Sequence, residues 1–331
     1  MEFNWYTWNL YKQTPAGKEK IKYFSKAEGY DLFKGYCPHA NFIPNGLYND
    51  WLESIYCYGV SDCEQPTSLN EAKLLYTSLI TLGIRIEEQQ WIPANDFKNM
   101  LGIIQPVSYV LSKFAPEYFF PYLFLCRIFE LNKIADFFNI DLPDMPKRTD
   151  YKGRCMYYCE LCEAFYQFRK ENKLSPEELW AFLYDFAPNN IVNENTEIPK
   201  PSQVWFIGGL LYEEDRLLES KFWQSSPETK RGDILIHYET SPVSAITCIE
   251  TSLTDGVIDP LFRYYGCIYI GNRISIPHIT LNELKTDEYF SNHSLVRKNF
   301  QGVYLQPIIT QYFIDNKSEI WLLFLIAHSK R

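Results

Sequence analysis

The chain is short of histidine, of positive charge and of long apolar runs. Its five histidines, His39, His237, His278, His293 and His328, are scattered through 331 residues. A metal site of the HEXXH or HNH kind needs a local histidine cluster, so that class is excluded. The longest apolar run, 320–327, is far too short to cross a bilayer and reads as a buried strand or short core helix. The opening segment lacks the charged-then-apolar pattern of a secretion signal. Acidic residues outnumber basic ones, for a net charge of −9. A protein that coats nucleic acid nonspecifically needs a basic footprint, and none spans this sequence. Nucleophile-elbow, Walker and dinucleotide-binding signatures are also missing. The nine cysteines are odd in number, and neither Cys37 with His39 nor Cys57 with Cys63 has the C-x2-C spacing of a structural metal site, which predicts reduced thiols, a cytoplasmic protein, no structural zinc, no cofactor and no membrane partner.

Aromatic residues, by contrast, are plentiful at 17% of the chain, and most of them are expected in the cores of two domains. The first half reads as mainly helical. Ser68 with Glu71 and Ser175 with Glu178 are capping-box pairs. The first opens a helix through about Ile84, and the second opens a short helix with Pro176 at its first position. Apolar segments of helical length lie at 93–104, 122–139 and 151–172, while 33–62, rich in Tyr, Asn, Gly and Pro, is expected to be mostly irregular. Polar composition at 187–196, followed by Pro199 and Pro201, marks a linker. Beyond it, 203–211, 233–238, 245–250 and 264–272 read as short strands, with one helix at 280–286. The predicted fold class is α+β: a mainly α-helical domain over 1–190, then a mixed α/β, partly open β-barrel over 200–331.

Several motifs resolve into bland readings. Cys155, Cys159 and Cys162 have the spacing of a radical-SAM cluster loop, but on a helix these positions share one face. The segment has helical period, so a core face is expected. Cys37 with His39, and Cys57 with Cys63, lack metal-site spacing. Gly208 and Gly209 within a strand suggest a close backbone approach or a bulge. Glu219 and Lys221 match half of a restriction-nuclease core whose aspartate is not evident, a common chance pattern.

One stretch, 221–245, stands apart. Trp223 and Gln224 precede a loop with Ser225, then a Gly232-Asp233 turn, an apolar strand through Tyr238, and a turn with Ser241, Pro242 and Ser244. Flat aromatics stack on bases, while amides and hydroxyls read base edges once a base has left its helix. The pattern suits the mouth of a base-reading pocket.

Four pieces, in order, resemble an EVE domain of the PUA-like superfamily, to which the YTH domain is related. They are Val204-Trp205-Phe206; Phe222-Trp223-Gln224-Ser225; Lys230-Arg231-Gly232-Asp233 leading to Tyr238 with Ser241-Pro242; and 279–285 followed by Leu295-Val296-Arg297-Lys298 and Pro307. The resemblance covers about two fifths of the chain, from Pro201 to its end. It departs from the family pattern in the Ser-Ser-Pro after Trp-Gln and in the long polar segment 251–263. It implies an aromatic pocket for a modified base, with Trp205, Trp223, Gln224, Ser225, Tyr238, Ser241 and Pro242 as base-binding residues. Lys221, Lys230, Arg231, Arg297 and Lys298 would contact phosphates.

The expected function is recognition of a modified cytosine in DNA, in restriction or phage defence by fold-level analogy, with the helical half offering duplex contacts, a partner surface or self-association. The alternatives are an RNA reader of the same fold and a nucleotide hydrolase or nuclease. Hydrolases of the related ASCH group use a Lys and an Arg after a Gly; Gly208 and Arg216 are present here without the Lys. No catalytic motif is found.

Overall fold

A computed structural model of the chain describes residues 5–36, 45–87, 90–191, 197–211, 218–262, 266–288, 290–300 and 306–308. The apolar run 320–327, the Cys37 and His39 pair, Arg216 and the middle of the polar stretch at 192–196 lie outside them. The chain divides into two compact units, Met1–Asn193 with Asp259–Tyr264, and Glu194–Ile258 with Tyr265–Arg331. The fold is α+β, a helical region followed by a mixed sheet.

In the helical unit, caps set several of the helix starts. Ser68 accepts from the Glu71 amide and opens the helix Leu69–Leu82. That helix stops at Leu82 rather than Ile84. Gly83, at φ 86°, ends it, and a Cβ there would lie 2.3 Å from the Ile92 carbonyl oxygen. Ile84 instead begins β1 (Ile84–Glu87), which pairs antiparallel with β2 (Gln90–Ile92). Ser175 and Glu178 form a complete capping box on the helix Pro176–Ala181. The region expected to be irregular holds the helix Asn45–Ile55, continued by a π-helical turn over Tyr56–Val60, with Tyr48, Ile55 and Val60 buried. Burial of those side chains outweighs weak local propensity. The segment 122–139 is helical only from Ile128 to Phe138, because Cys126 sits at φ 63° just before it. The cysteine triplet lies on the helix Tyr151–Glu171, with all three thiols buried. Burial pushes Cys155 and Cys159 up to about 12 and Cys162 higher still. Such thiols stay protonated, the opposite of what a cluster requires.

Asp259 belongs to this unit although in sequence it lies among the strands of the second unit. Its buried carboxylate accepts from the Cys126 amide at 3.2 Å, the Leu261 amide at 2.9 Å and the Tyr122 hydroxyl at 3.4 Å. Arg154 Nε donates to the neighbouring Pro260 carbonyl at 2.7 Å.

The second unit is a seven-stranded mixed sheet curled into a half-barrel, in the order β4-β8-β6-β5-β3-β9, with β7 paired to β8. Its strands are β3 (Val204–Gly209), β4 (Ser220–Gln224), β5 (Ile234–Glu239), β6 (Ala245–Ser252), β7 (Val257–Ile258), β8 (Gly266–Thr280) and β9 (Gln306–Ile308). β3 and β5 run parallel; the other pairs are antiparallel. Alternation divides the side chains between two faces. One face buries Val204, Phe206, Ile236, Tyr238, Ile246 and Ile249 under Leu284, Phe290, Leu295, Val296 and Phe300. Leu284 comes from the helix Leu281–Thr286, which Thr280 and Glu283 cap reciprocally. The other face carries a smaller apolar cluster of Trp205, Ile207, Leu235, Ile268 and Ile270, with Trp223 packed against it.

Register shifts on both sides of β6 disturb the alternation. His237 pairs with Cys248 and Tyr238 with Ile246, so Thr247 is an extra residue in β6. A second shift lies between Ile249 and Thr251 against β8, where Asn272 has φ 51°. The Thr247 bulge lets Ile246 and Ile249, three residues apart, share the apolar face.

The Asp259 environment generates a pH prediction. Burial, only partly offset by its hydrogen bonds, raises its pKa from 3.8 to about 6. Above the lower value the unfolded chain releases this proton while the native chain keeps it, so stability falls as pH rises through this window. The loss attributable to Asp259 is expected to reach roughly 3 kcal/mol between pH about 4 and 7. Urea unfolding of wild type and Asp259→Asn across that range checks it: the difference between the two must change with pH, and a constant difference refutes the assignment.

Candidate functional site

The face opposite the helices collects the polar chemistry of the second unit. Lys221 and Trp223 reach it from β4, His237 and Glu239 from β5, Cys248 and Glu250 from β6, and Arg273 from β8. Glu250, 2% exposed, is the centre. Its Oε1 accepts from Arg273 Nε at 3.0 Å and lies 2.9 Å from Nη2, with Lys221 Nζ at 3.6 Å. Its Oε2 lies 3.1 Å from His237 Nδ1. Trp223 packs its indole edge-on to the His237 ring, centroids 4.6 Å apart, and the Lys221 ammonium lies 4.8 Å from the indole centroid. Behind the indole is Gly209, where any Cβ would fall 2.7 Å from Trp223 Cζ2. The close approach expected of the glycine pair is thus to a tryptophan ring.

The charge states follow from this geometry. Burial alone would raise the Glu250 pKa, but the His237 hydrogen bond together with Lys221 and Arg273 holds it below the usual value. Burial lowers His237, and its Glu250 contact only partly opposes this. The two directions describe one state: a neutral imidazole donating Nδ1–H to a carboxylate. The Cys248 thiol is pushed up to about 12 by burial and then by the Glu250 charge. Donor atoms of His237, Cys248 and Glu250 lie within 4.8 Å of one another. With the thiol protonated and two cations already on the carboxylate, the trio suits a charge-paired network better than a metal.

The residues singled out in the sequence divide among several places. Trp223 is half-buried beside the network, and Lys221 is interior, 6% exposed, rather than on the surface. Gln224 is exposed and, adjacent to Trp223 on the strand, points to the other side. Ser225 is fully buried, its hydroxyl 2.7 Å from that of Thr229. Trp205 is buried with its Nε1–H donating to Asp233 at 2.9 Å. Asp233 also accepts from the amides of Ser202, Gln203 and Lys230 and from the Ser202 hydroxyl, so the Gly-Asp turn anchors the start of β3. Gly232, at φ 95°, permits that turn. Tyr238 lies on the helix-covered face, stacked on Phe300 at 3.9 Å. Ser241 and Pro242 are exposed in the turn after β5. Thr240, opening that turn, donates to the Gly209 carbonyl, so turn and indole share an edge of the sheet. Lys230 is exposed, and Arg231 donates to the Glu197 carbonyl. Arg297 and Lys298 are exposed at the end of a helix on the other face, away from Trp223.

His237, Cys248, Glu250 and Arg273 were not selected from the sequence. Each sits in a strand, and their convergence depends on pairing between strands distant in sequence. A histidine and a glutamate inside otherwise β-branched strands were the available signal.

No family model matches the chain, and no curated protein matches it. Among solved structures it is similar to the NMR structure of Rpa0253 from Rhodopseudomonas palustris, at 16% identity and a TM-score of 0.29, over 33% of this chain and 86% of that one. No helix among the described residues is long and apolar enough to cross a membrane.

Glu250→Gln tests the network. The amide keeps the shape but removes the charge shared by Lys221 and Arg273, and the expected cost is roughly 3 kcal/mol. Adding Lys221→Met should recover part of that loss. Because the Glu250 pKa is depressed, its stabilisation is present above the ordinary carboxylate range and lost as pH falls through the lower, folded-state value. Urea midpoints of the two variants are the readout; an unchanged midpoint in Glu250→Gln would show that the network contributes nothing.

Proposed function

We propose that the C-terminal unit binds a modified nucleobase, a modified cytosine in DNA, using Trp223 as the stacking surface. One observation carries the reading: a partly exposed indole held in place, with Gly209 behind it, His237 packed against it and the Lys221 ammonium over its ring. A flat surface fixed in this way loses little entropy when a base stacks on it. The ordered resemblance to an EVE domain adds support, since the same tryptophan segment carries that resemblance. Ser241 and Pro242, on the shared edge, would flank the base. The exposed Lys230 and the neighbouring Arg231 would meet the phosphate backbone, whereas Lys221 would act inside the pocket. The helical unit would supply duplex contacts or a surface for a protein partner.

Anisotropy titration of the full chain with duplexes carrying a single 5-methylcytosine, or none, tests this. The modified duplex should bind more tightly, and Trp223→Ala should weaken it by roughly tenfold to a hundredfold, the range of one base-stacking contact. Indifference to both the modification and the substitution overturns the reading. Tighter binding of a matched RNA would transfer the ligand to RNA.

A further inference from the structure

We infer that His237 is the specificity-determining acceptor of this site, its Nε2 taking a hydrogen bond from the exocyclic amino group of the bound base. This rests on the base-reading function proposed above and assigns the base edge that is read.

The geometry begins at Glu250. Its carboxylate is committed to Arg273 and Lys221 on one oxygen and to His237 Nδ1 on the other. A carboxylate can only accept, so Nδ1 carries the proton and Nε2 keeps a lone pair. Glu250 therefore fixes the tautomer, as second-layer carboxylates do for functional histidines elsewhere. His237 is 0% exposed, and none of the described residues hydrogen-bonds to its Nε2. A buried acceptor left without a donor is costly, and such groups in folded proteins call for an explanation. A ligand donor supplies one. The aromatic ring packed on this imidazole, Trp223, is itself only partly buried. A base stacked on that indole would come beside the imidazole.

The β6 bulge falls at the same place. The register shifts between His237 and Tyr238, opposite Thr247 and Cys248. Bulges re-aim side chains and recur beside functional sites. Here the bulge keeps Cys248 and Glu250 on the face of His237 while Ile246 and Ile249 remain in the apolar core.

The chemistry names the ligand class. Among pyrimidines, cytosine presents an exocyclic amino donor where thymine and uracil present an oxygen acceptor. A neutral Nε2 accepts from the former and repels the latter. The groups facing this imidazole are Lys221 on β4, Glu239 on its own strand, Cys248 and Glu250 on β6, and Arg273 on β8; among them Glu250 forms the hydrogen bond that sets the tautomer.

The test uses the full chain and two duplexes that differ at one base: 5-methylcytosine, or the same ring with hydrogen in place of its amino group. Wild type should bind the amino base at least roughly tenfold more tightly. His237→Phe, which keeps a flat ring against Trp223, should bind the two alike. Equal binding of both duplexes by wild type overturns this inference and leaves the base-reading function standing. Binding of neither duplex overturns the base-reading function and this inference with it. Should His237→Phe fail to fold, imidazole nitrogen NMR of labelled wild type decides: an unprotonated Nε2 that shifts on adding the amino duplex supports the assignment, and a protonated Nε2 or an unmoved signal sinks it.

Discussion

A carboxylate taken into a sheet interior stays ionised only if its neighbours replace the water it has lost. Glu250 meets that requirement by drawing on three other strands, through Lys221 on β4, His237 on β5 and Arg273 on β8. The order β4-β8-β6-β5 places β8 between Lys221 and Glu250. An ammonium 3.6 Å from that carboxylate across an intervening strand requires the sheet to curl towards this face. The charge network and the half-barrel are therefore one constraint seen at two scales. The position of Trp223 follows from it, because the indole is bounded by Lys221 and His237, both held by Glu250.

The opposite face makes its contribution by exclusion of water alone. Phe206, Tyr238 and Phe300 pack with the short helices 281–286 and 294–297 into an apolar layer. Tyr238 illustrates the division of labour. Its ring continues the alternation of Ile234 and Ile236, and parity assigns it to that layer whatever its hydroxyl could do at a pocket. Trp205 has the opposite parity and shares the face of Trp223, yet its indole N–H is taken up by Asp233. The same carboxylate receives five donors and pins the Gly-Asp turn to the start of β3. The Gly-Asp turn within the pocket-like motif is thus a device for holding the start of β3.

Legibility in the sequence tracked the range of the interactions involved. Local chemistry was readable: the Ser175–Glu178 box opens a helix where that cap predicts it, and the helix expected over 280–286 is present behind a Thr280–Glu283 box. The cysteine triplet lies on one buried helix face, as its period requires. Failures occurred where a residue usually met in turns serves a longer element. Asn272 looks like the end of a strand, yet at φ 51° it is a bulge through which β8 continues to Thr280. Cys126 shortens a helix by the same backbone choice, with no glycine or proline at that position to announce it. The helix Asn45–Ile55 is hidden by poor local propensity and fixed by buried Tyr48 and Ile55. The stretch 221–245 did contain the aromatic of the candidate site, Trp223, together with Lys221 and His237. It could not contain Glu250 or Arg273, since those join it only through strand pairing.

The bulge at Thr247 explains how one sheet can be well packed and still hold a charge network. A regular strand would give Ile246 and Ile249 opposite faces, so that one of them would leave the apolar core or Glu250 would enter it. The extra residue resolves the conflict locally, at the pair where His237 meets Cys248. A buried polar network tolerates little slack, because each unpaired member costs its full desolvation. His237 Nε2 nevertheless has no donor among the described residues, in a network where Nδ1 and both Glu250 oxygens are engaged. The open lone pair is therefore a position at which an outside molecule gains by supplying a proton donor.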